Sequence, residues 1–186
     1  PITNGACDTL LYWRWVKNNV EKVEKLSGGR LGYVHILAMR DECFRKLYSD
    51  VVGKYNNYEG VVIDTRFNPG GHLQEVIEIL TTGYNYMSRI VRDKFASDMP
   101  RSRFNHPSIM IMCEANYSNA HGTPWMYKNR KIGKLVGMPV AGTMTSVNFI
   151  NMQDKSLRYG IPIVGYRDEQ GNYLENQLLL PDVEVD

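Results

Sequence analysis

The sequence predicts an α/β fold, a ClpP/crotonase-like core with a largely parallel sheet flanked by helices, and three features of the 186-residue chain point to its α/β character. Segments with helical periodicity alternate with short apolar segments of strand length. Residues 60–66 are apolar without alternation at first, which is typical of a strand covered on both faces in a parallel sheet. Two predicted strands end in polar turns, and chemistry gathers at the carboxyl ends of strands in such folds.

The first third of the chain is expected to contain a helix, a strand and a second helix. Asp8 or Thr9 is the expected cap of the first helix, which runs to about Leu26 because apolar residues recur at three- and four-residue steps. Residues 31–38 form a buried strand. Its His35 is interpreted as a hydrogen-bonded core histidine rather than as a ligand or base.

The second predicted helix begins at Asp41 and ends at residues 56–57. The strand at 60–66 follows and leads into a tight turn at 67–71, and a third helix then stops at Gly83. Residues 84–107 show no clear pattern and carry five basic residues, so we expect an irregular, solvated segment there.

The second half of the chain is organised around residues 109–119. An apolar strand at 109–112 breaks into a polar turn at 114–119, and a helix follows. A short strand is predicted at 133–137, and a turn-rich segment at 138–147. Strand signals flank a predicted hairpin turn at 168–172.

Ser118 is the main candidate for chemistry because it lies at a strand-to-helix turn, where a hydroxyl can stand exposed above the sheet. The first turn of the following helix offers unpaired N–H groups and the positive end of a dipole. These features suit a serine nucleophile whose attack creates an oxyanion. The alternative interpretation is that Ser118 is only a helix N-cap.

Composition excludes several classes of function. The net charge is +2 with scattered basic residues, so no nucleic-acid partner is expected, and no run is apolar and long enough for a membrane-spanning segment. The three cysteines, Cys7, Cys43 and Cys113, are far apart in the sequence and have no metal-ligand spacing. We therefore expect no metal, and we interpret Cys113 as a buried free thiol. The sequence contains no Walker motif or dinucleotide glycine pattern, and no organic cofactor is expected.

Four segments resemble, in order, motifs of the tricorn proteases and C-terminal processing peptidases. The entry into the tricorn catalytic core is similar to YWRWVKNNVEKVEKLSGGRLGYVHI, and the family's strand-and-turn motif is similar to GVVIDTRFNPGG. The nucleophile elbow and following strand resemble YSNAHGTPWMYK and IGKLVGMPVAGT, and the closing tricorn segment resembles GNYLENQLLLPDVEV. The resemblance implies a ClpP/crotonase-like core and a serine peptidase that acts on peptides or unfolded protein segments.

The resemblance also implies roles for individual residues. Ser118 matches the nucleophile, and the backbone N–H of Asn119 would form half of the oxyanion hole. Gly70, or its neighbour Gly71, would supply the other N–H group. Glu175 matches the acid that orients the catalytic histidine in the tricorn branch.

Two departures from the family pattern concern the general base. Thr143 stands where the processing peptidases have their lysine, which favours the Ser-His-Glu arrangement. The tricorn histidine comes from an upstream segment, so we expect residues 1–186 to be one catalytic-core domain and the C-terminal part of a longer multidomain protein. We expect this fragment to be catalytically inactive in isolation. His72 is the best local alternative as base, and His121 is expected on the helix surface.

A binding module is the alternative function on the same fold. The interphotoreceptor retinoid-binding proteins resemble these peptidases and bind ligands, which is compatible with a missing base. For the peptidase, the expected partner is a peptide or unfolded protein substrate, and the full-length protein is a candidate homo-oligomer because tricorn-like enzymes assemble.

Overall fold

The protein is described by a computed structural model that covers residues 3–104 and 106–186. The helices are α1 (Asn4–Ser27), α2 (Asp41–Tyr48), α3 (Gln74–Thr82) and α4 (Asn119–Asn129), and a π-helical segment (Ser49–Lys54) continues α2. The strands are β1 (Leu31–His35), β2 (Gly60–Asp64), β3 (Met87–Val91), β4 (Lys94–Met99), β5 (Ser108–Met112), β6 (Lys134–Gly137), β7 (Thr145–Asn151), β8 (Arg158–Gly165) and β9 (Val183–Glu184).

The central sheet is parallel, as predicted. Five strands lie in the order β1-β2-β5-β6-β9, and each neighbouring pair runs in the same direction. The register places Val62 opposite Ile109 and Asp64 opposite Ile111. Because β2 and β5 run side by side in the same direction, the turns that follow them lie at one edge of the sheet.

The core explains why β2 is apolar without alternation. Val61 and Ile63 are buried in the large cluster that includes apolar residues of α3 and α4, whereas Val62 packs in a smaller cluster with Val16 of α1. Successive side chains of a strand point to opposite faces. Helices therefore cover β2 on both faces, and every residue of this strand is buried.

The first helix begins earlier than predicted. Its N-cap is Thr3, whose side-chain oxygen accepts a hydrogen bond from the Ala6 N–H at 3.2 Å, so the assignment of the cap to Asp8 or Thr9 is wrong. The first turn consists of Asn4-Gly5-Ala6-Cys7, which has no apolar spacing that would reveal a helix. The end is as predicted, with Gly28 in the left-handed region at φ 64°.

Residues 84–107 are not an irregular segment throughout, contrary to the prediction. Strands β3 and β4 form an antiparallel hairpin, and its two-residue turn is Arg92-Asp93 with φ values of 49° and 63°. Positive φ at both turn positions matches the twist of the flanking strands and usually calls for Asn or Gly. The hairpin was missed because this turn has neither residue.

A second hairpin, β7 and β8, projects from the sheet. The predicted turn at 168–172 is confirmed, since Asp168 donates from its N–H to the Asn172 carbonyl at 2.9 Å and Gly171 donates to the Asp168 carbonyl at 3.0 Å.

The helices that the structure describes include none of the length and apolar character needed to cross a membrane.

Candidate active site

The turns after β2 and β5 meet at the carboxyl edge of the sheet. The Tyr117 N–H donates to the Asn68 carbonyl at 3.0 Å and joins the two turns directly. A Cβ atom built on Gly70 would lie 2.7 Å from the Tyr117 oxygen and 2.9 Å from Ser118 Cβ. The structure therefore places Gly70 against Ser118, and only a glycine fits at this contact.

Ser118 has a strained backbone and a hydroxyl with no structural task. Its φ and ψ are 56° and −121°, in a region that a residue with a side chain rarely adopts. It occupies the N-cap position of α4, but its side chain makes no capping hydrogen bond. Helix capping therefore does not explain the serine, whose side chain is half-buried.

Two backbone N–H groups of these turns are unpaired in the described part of the chain, that of Asn119 after Ser118 and that of Gly71 after Gly70. Among the described residues, neither Asn119 nor Gly71 donates its N–H to any acceptor. The Gly70 N–H, in contrast, donates to Asn68 Oδ1 at 2.8 Å. Of the two glycines that the sequence offered as oxyanion donors, Gly71 is thus the one that keeps an available N–H group. Gly71 has φ 140°. On either side of it, the Gly70 carbonyl accepts a hydrogen bond from the Met39 N–H, and the His72 N–H donates to the Met39 carbonyl.

Buried asparagines hold both turns. Asn68 donates from Nδ2 to the Ile36 carbonyl at 2.7 Å, in addition to accepting from Gly70. Asn116 donates to Thr65 Oγ1 at 2.9 Å and to the Ala120 carbonyl at 3.1 Å. Sequence reasoning did not single out either side chain. The available signal was an asparagine at each strand-to-helix turn, where its side chain can satisfy backbone groups.

Thr143 links Ser118 to the segment that carries Glu175. Its Oγ1 accepts the Ser118 N–H at 3.0 Å. The neighbouring Gly142 carbonyl accepts the N–H of Asn176 at 2.9 Å. Glu175 is half-buried, and its Oε2 is buried without a hydrogen-bond partner among the described residues. The carboxylate therefore lies on a segment tied to the Ser118 turn and has an oxygen available for another donor.

His121 is fully buried, so the prediction that it lies on the helix surface is wrong. Residues 120–124 of α4 are buried on all sides, which leaves no exposed face for this side chain. Both ring nitrogens lack partners within the described part of the chain. Burial lowers the pKa of His121, and the nearby charge of Glu175 acts in the opposite direction.

The other histidines are placed differently. His72 is exposed beside the turn after β2 and makes no hydrogen bond to Ser118. His35 is buried, with its ring nitrogens 3.1 Å from the Tyr12 hydroxyl and 2.9 Å from the Arg66 carbonyl, which confirms its interpretation as a hydrogen-bonded core histidine. Burial is also the main reason that the pKa of His35 is lowered.

A cleft of about 280 Å³ opens beside Asn119. It is lined by His72, Gln74, Glu75, Asn119, Met144 and Tyr166. A larger cleft of about 700 Å³ lies at the β3–β4 hairpin. The smaller cleft is the candidate substrate site because its lining includes Asn119, the residue that follows Ser118. Within residues 3–104 and 106–186, no group of three or more His, Cys, Asp or Glu residues is placed to hold a metal ion.

Comparison with known sequences gives one family and a set of longer relatives. Residues 30–185 match the sequence model of Peptidase family S41. A tricorn-like protease C-terminal subunit of Sulfurisphaera tokodaii is 28% identical over 182 residues, which cover 95% of this chain and 21% of the relative. The chain thus spans about a fifth of that relative's length.

Solved structures agree with the fold. The crystal structure of the tricorn protease matches 92% of this chain with a TM-score of 0.78 and 24% identity, and the match covers 17% of that protein. The photosystem II D1 C-terminal processing protease matches 84% of this chain with a TM-score of 0.62 and 16% identity, over 42% of its own length. These structures share the α/β core with its largely parallel sheet, which confirms the predicted fold class.

Proposed function

This chain belongs to peptidase family S41, and on that premise we propose that it is the catalytic core of a serine peptidase that cleaves peptides or unfolded protein segments. The observation that carries the proposal is the strained, uncapped Ser118, which is followed by the unpaired N–H of Asn119 and lies against Gly70, the residue before the unpaired N–H of Gly71. Strain of this kind persists where the surroundings enforce it, and it is concentrated at functional sites.

In the proposed reaction, Ser118 Oγ gives its proton to a general base and attacks the carbonyl carbon of the scissile bond. The C–N bond then breaks, the leaving amine takes up that proton, and an acyl-enzyme remains. The N–H groups of Gly71 and Asn119 donate to the oxyanion that develops on the carbonyl oxygen. Such donors act most strongly when they are fixed before the reaction, and loss of one typically reduces turnover by about 10²–10³-fold. Water then hydrolyses the acyl-enzyme and regenerates Ser118.

We assign the general base to a histidine outside residues 1–186, with Glu175 as the group that orients it. Two observations support this assignment. No described histidine side chain hydrogen-bonds to Ser118, although a base must lie within about 3 Å of the proton that it removes. Glu175 Oε2 is buried and has no partner, so it is available to accept from an imidazole N–H. The 186-residue chain is then weakly active by itself.

A fluorophosphonate probe, read by peptide mass spectrometry, tests this proposal. We expect slow modification of Ser118 in the 186-residue chain, acceleration by added imidazole, and fast modification in a longer chain that carries the upstream histidine. Ser118→Ala is the control and removes the label. Fast labelling of the short chain that is lost in His72→Gln would instead assign the base to His72.

The second candidate function is a ligand- or peptide-binding module on the same fold. It is favoured by one observation: within the described residues, no histidine side chain makes a hydrogen bond to Ser118. In that case the fluorophosphonate probe modifies Ser118 in neither the 186-residue chain nor the longer chain, although both are folded. A candidate peptide then binds with equal affinity to the wild type and to Ser118→Ala, as isothermal titration calorimetry would show.

A further inference from the structure

The side chain of Asn119 reaches across to the turn after β2. Its Oδ1 accepts hydrogen bonds from the N–H groups of Leu73 at 2.9 Å and Gln74 at 3.1 Å. Its Nδ2 lies 3.4 Å from Gln74 Oε1. These two N–H groups belong to the N-cap residue and to the first residue of α3, so a residue of α4 caps the start of a different helix.

Helix α3 has no cap of its own. Its N-cap position is occupied by Leu73, whose apolar side chain cannot accept a hydrogen bond, and the structure records no side-chain cap from that residue. The first N–H groups of a helix have no acceptor within the helix and need one from outside it. Asn119 supplies the acceptor that the local sequence lacks.

The capped turn is continuous with the loop that carries Gly71. The His72 N–H donates to the Met39 carbonyl at 2.7 Å, which holds this loop from the β1 side. The Asn119 side chain holds it from the α4 side, one residue further along the chain. The position of Gly71 relative to Ser118 is therefore fixed by two anchors on opposite sides of the loop.

We propose that the Asn119 side chain is the positioning residue of the oxyanion hole, which sets the separation between its own backbone N–H and that of Gly71. This inference rests on the proposed function, because it assumes that those two N–H groups bind the oxyanion. One residue then supplies one donor directly and places the other through the α3 cap. An acceptor at this side-chain position is required, whereas the amide NH₂ group is not.

The first measurement is residue-resolved hydrogen exchange, which does not depend on catalysis. In Asn119→Ala we expect the N–H groups of Leu73 and Gln74 to exchange at least about tenfold faster, because they lose their acceptor. In Asn119→Asp the carboxylate keeps the acceptor, and protection remains. Unchanged exchange in Asn119→Ala would overturn the inference.

The second measurement is turnover in the chain that shows Ser118-dependent cleavage. Asn119→Ala is expected to lower kcat by about 10–100-fold with little change in KM, since a misplaced donor is felt in the transition state. Asn119→Asp restores most of kcat. Thr3→Ala is the matched control, because it removes a helix cap of α1 far from the site and leaves kcat unchanged.

The two measurements separate the inference from the proposed function. Faster exchange with normal kcat in Asn119→Ala refutes the positioning role while the peptidase assignment stands. If no chain cleaves peptides, the peptidase assignment fails, and the exchange data alone decide whether Asn119 holds the turn. Equal loss of kcat in Asn119→Ala and Asn119→Asp also contradicts the inference, because the second variant retains the acceptor.

Discussion

The turns after β2 and β5 both connect a parallel strand to a helix, but they do so with different residues. Each leads from a buried parallel strand into a helix and is held by a buried asparagine, Asn68 in the first turn and Asn116 in the second. Where they touch, the first turn uses Gly70 at φ 94°, and the second uses Ser118 at φ 56°.

The difference separates two roles. Glycine adopts positive φ at little steric cost, so the first turn can bring its backbone close to the second turn. A serine in that region is strained by about 1–3 kcal/mol, so the second turn holds a side chain in place at the expense of stability. In the proposed function, the first turn contributes the N–H of Gly71, and the second turn contributes the hydroxyl of Ser118 and the N–H of Asn119.

Gly70→Ala is expected to break the contact between the turns and to have the largest effect. Its Cβ would meet the Tyr117 oxygen at 2.7 Å and Ser118 Cβ at 2.9 Å, and the residue would also be strained at φ 94°. We expect the free energy of unfolding in urea to fall by about 2–4 kcal/mol and the rate of Ser118 labelling to fall at least about 100-fold.

Gly28→Ala is the matched control for this substitution. Gly28 also has positive φ, at 64°, but no atom lies within 4 Å of the added Cβ. It should lose only about 1 kcal/mol of stability and keep the labelling rate. Equal effects of the two substitutions would show that the Gly70 contact with Ser118 is unimportant.

The two asparagines can be compared directly by Asn68→Ala and Asn116→Ala. Each variant removes a side-chain hydrogen-bond partner from buried backbone groups, at about 1–3 kcal/mol for each group that is left unpaired. We expect Asn68→Ala to lower the free energy of unfolding by about 2–4 kcal/mol, and Asn116→Ala by slightly less, because the Asn68 hydrogen bonds are shorter.

Asn129→Ala serves as the control for both asparagine variants. Its side chain is exposed and donates only to the Trp125 carbonyl at 3.2 Å, so the change should be below about 0.5 kcal/mol. The same urea denaturation measures all three variants. A loss in Asn68→Ala no larger than in Asn129→Ala would contradict the anchoring role of Asn68.

Thr143→Val tests the hydrogen bond that holds the turn at Ser118. The Ser118 N–H loses its acceptor at 3.0 Å, while the volume of the side chain is nearly unchanged. We expect a loss of about 1–2 kcal/mol in stability and a labelling rate reduced about tenfold. Thr143→Ser keeps the hydroxyl and should retain most of the rate, so equal rates for the two variants would refute this role.

The smallest predicted effect is a pH dependence that comes from the histidine behind the serine turn. Burial lowers the pKa of His121 from its usual 6.5, so the unfolded chain binds more protons than the folded one below about pH 6.5. Stability should fall as the pH decreases through this window. The slope is at most about 1.4 kcal/mol per pH unit for one proton.

His121→Phe removes the His121 contribution, and urea titrations between about pH 5 and 7 measure the change. The slope that remains in the variant belongs to His35, whose pKa burial also lowers. An unchanged slope in His121→Phe would mean that His121 does not stay neutral in the folded protein.

The sequence determined the layout of the fold because hydrophobic periodicity is a local property. The apolar residues 61–63, which show no alternation, indicated a strand covered on both faces, and α1 and the α3–α4 layer cover it. The turn at 67–71 and the strand-to-helix junction at Ser118 were also visible, since glycine, proline and asparagine mark turns directly. The β3–β4 hairpin was not, because its turn residues are Arg92 and Asp93.

Tertiary structure decided how the site is assembled. No local pattern shows that Asn68 occupies the Gly70 N–H and leaves that of Gly71 available, or that Asn119 caps a helix 45 residues earlier in the chain. The burial of His121 likewise depends on what packs around α4 rather than on its own sequence. Hydrogen bonds between residues far apart in the chain form only when the sheet brings the ends of its strands together. The candidate side chains could therefore be predicted from the sequence, whereas their hydrogen-bond partners depend on the tertiary structure.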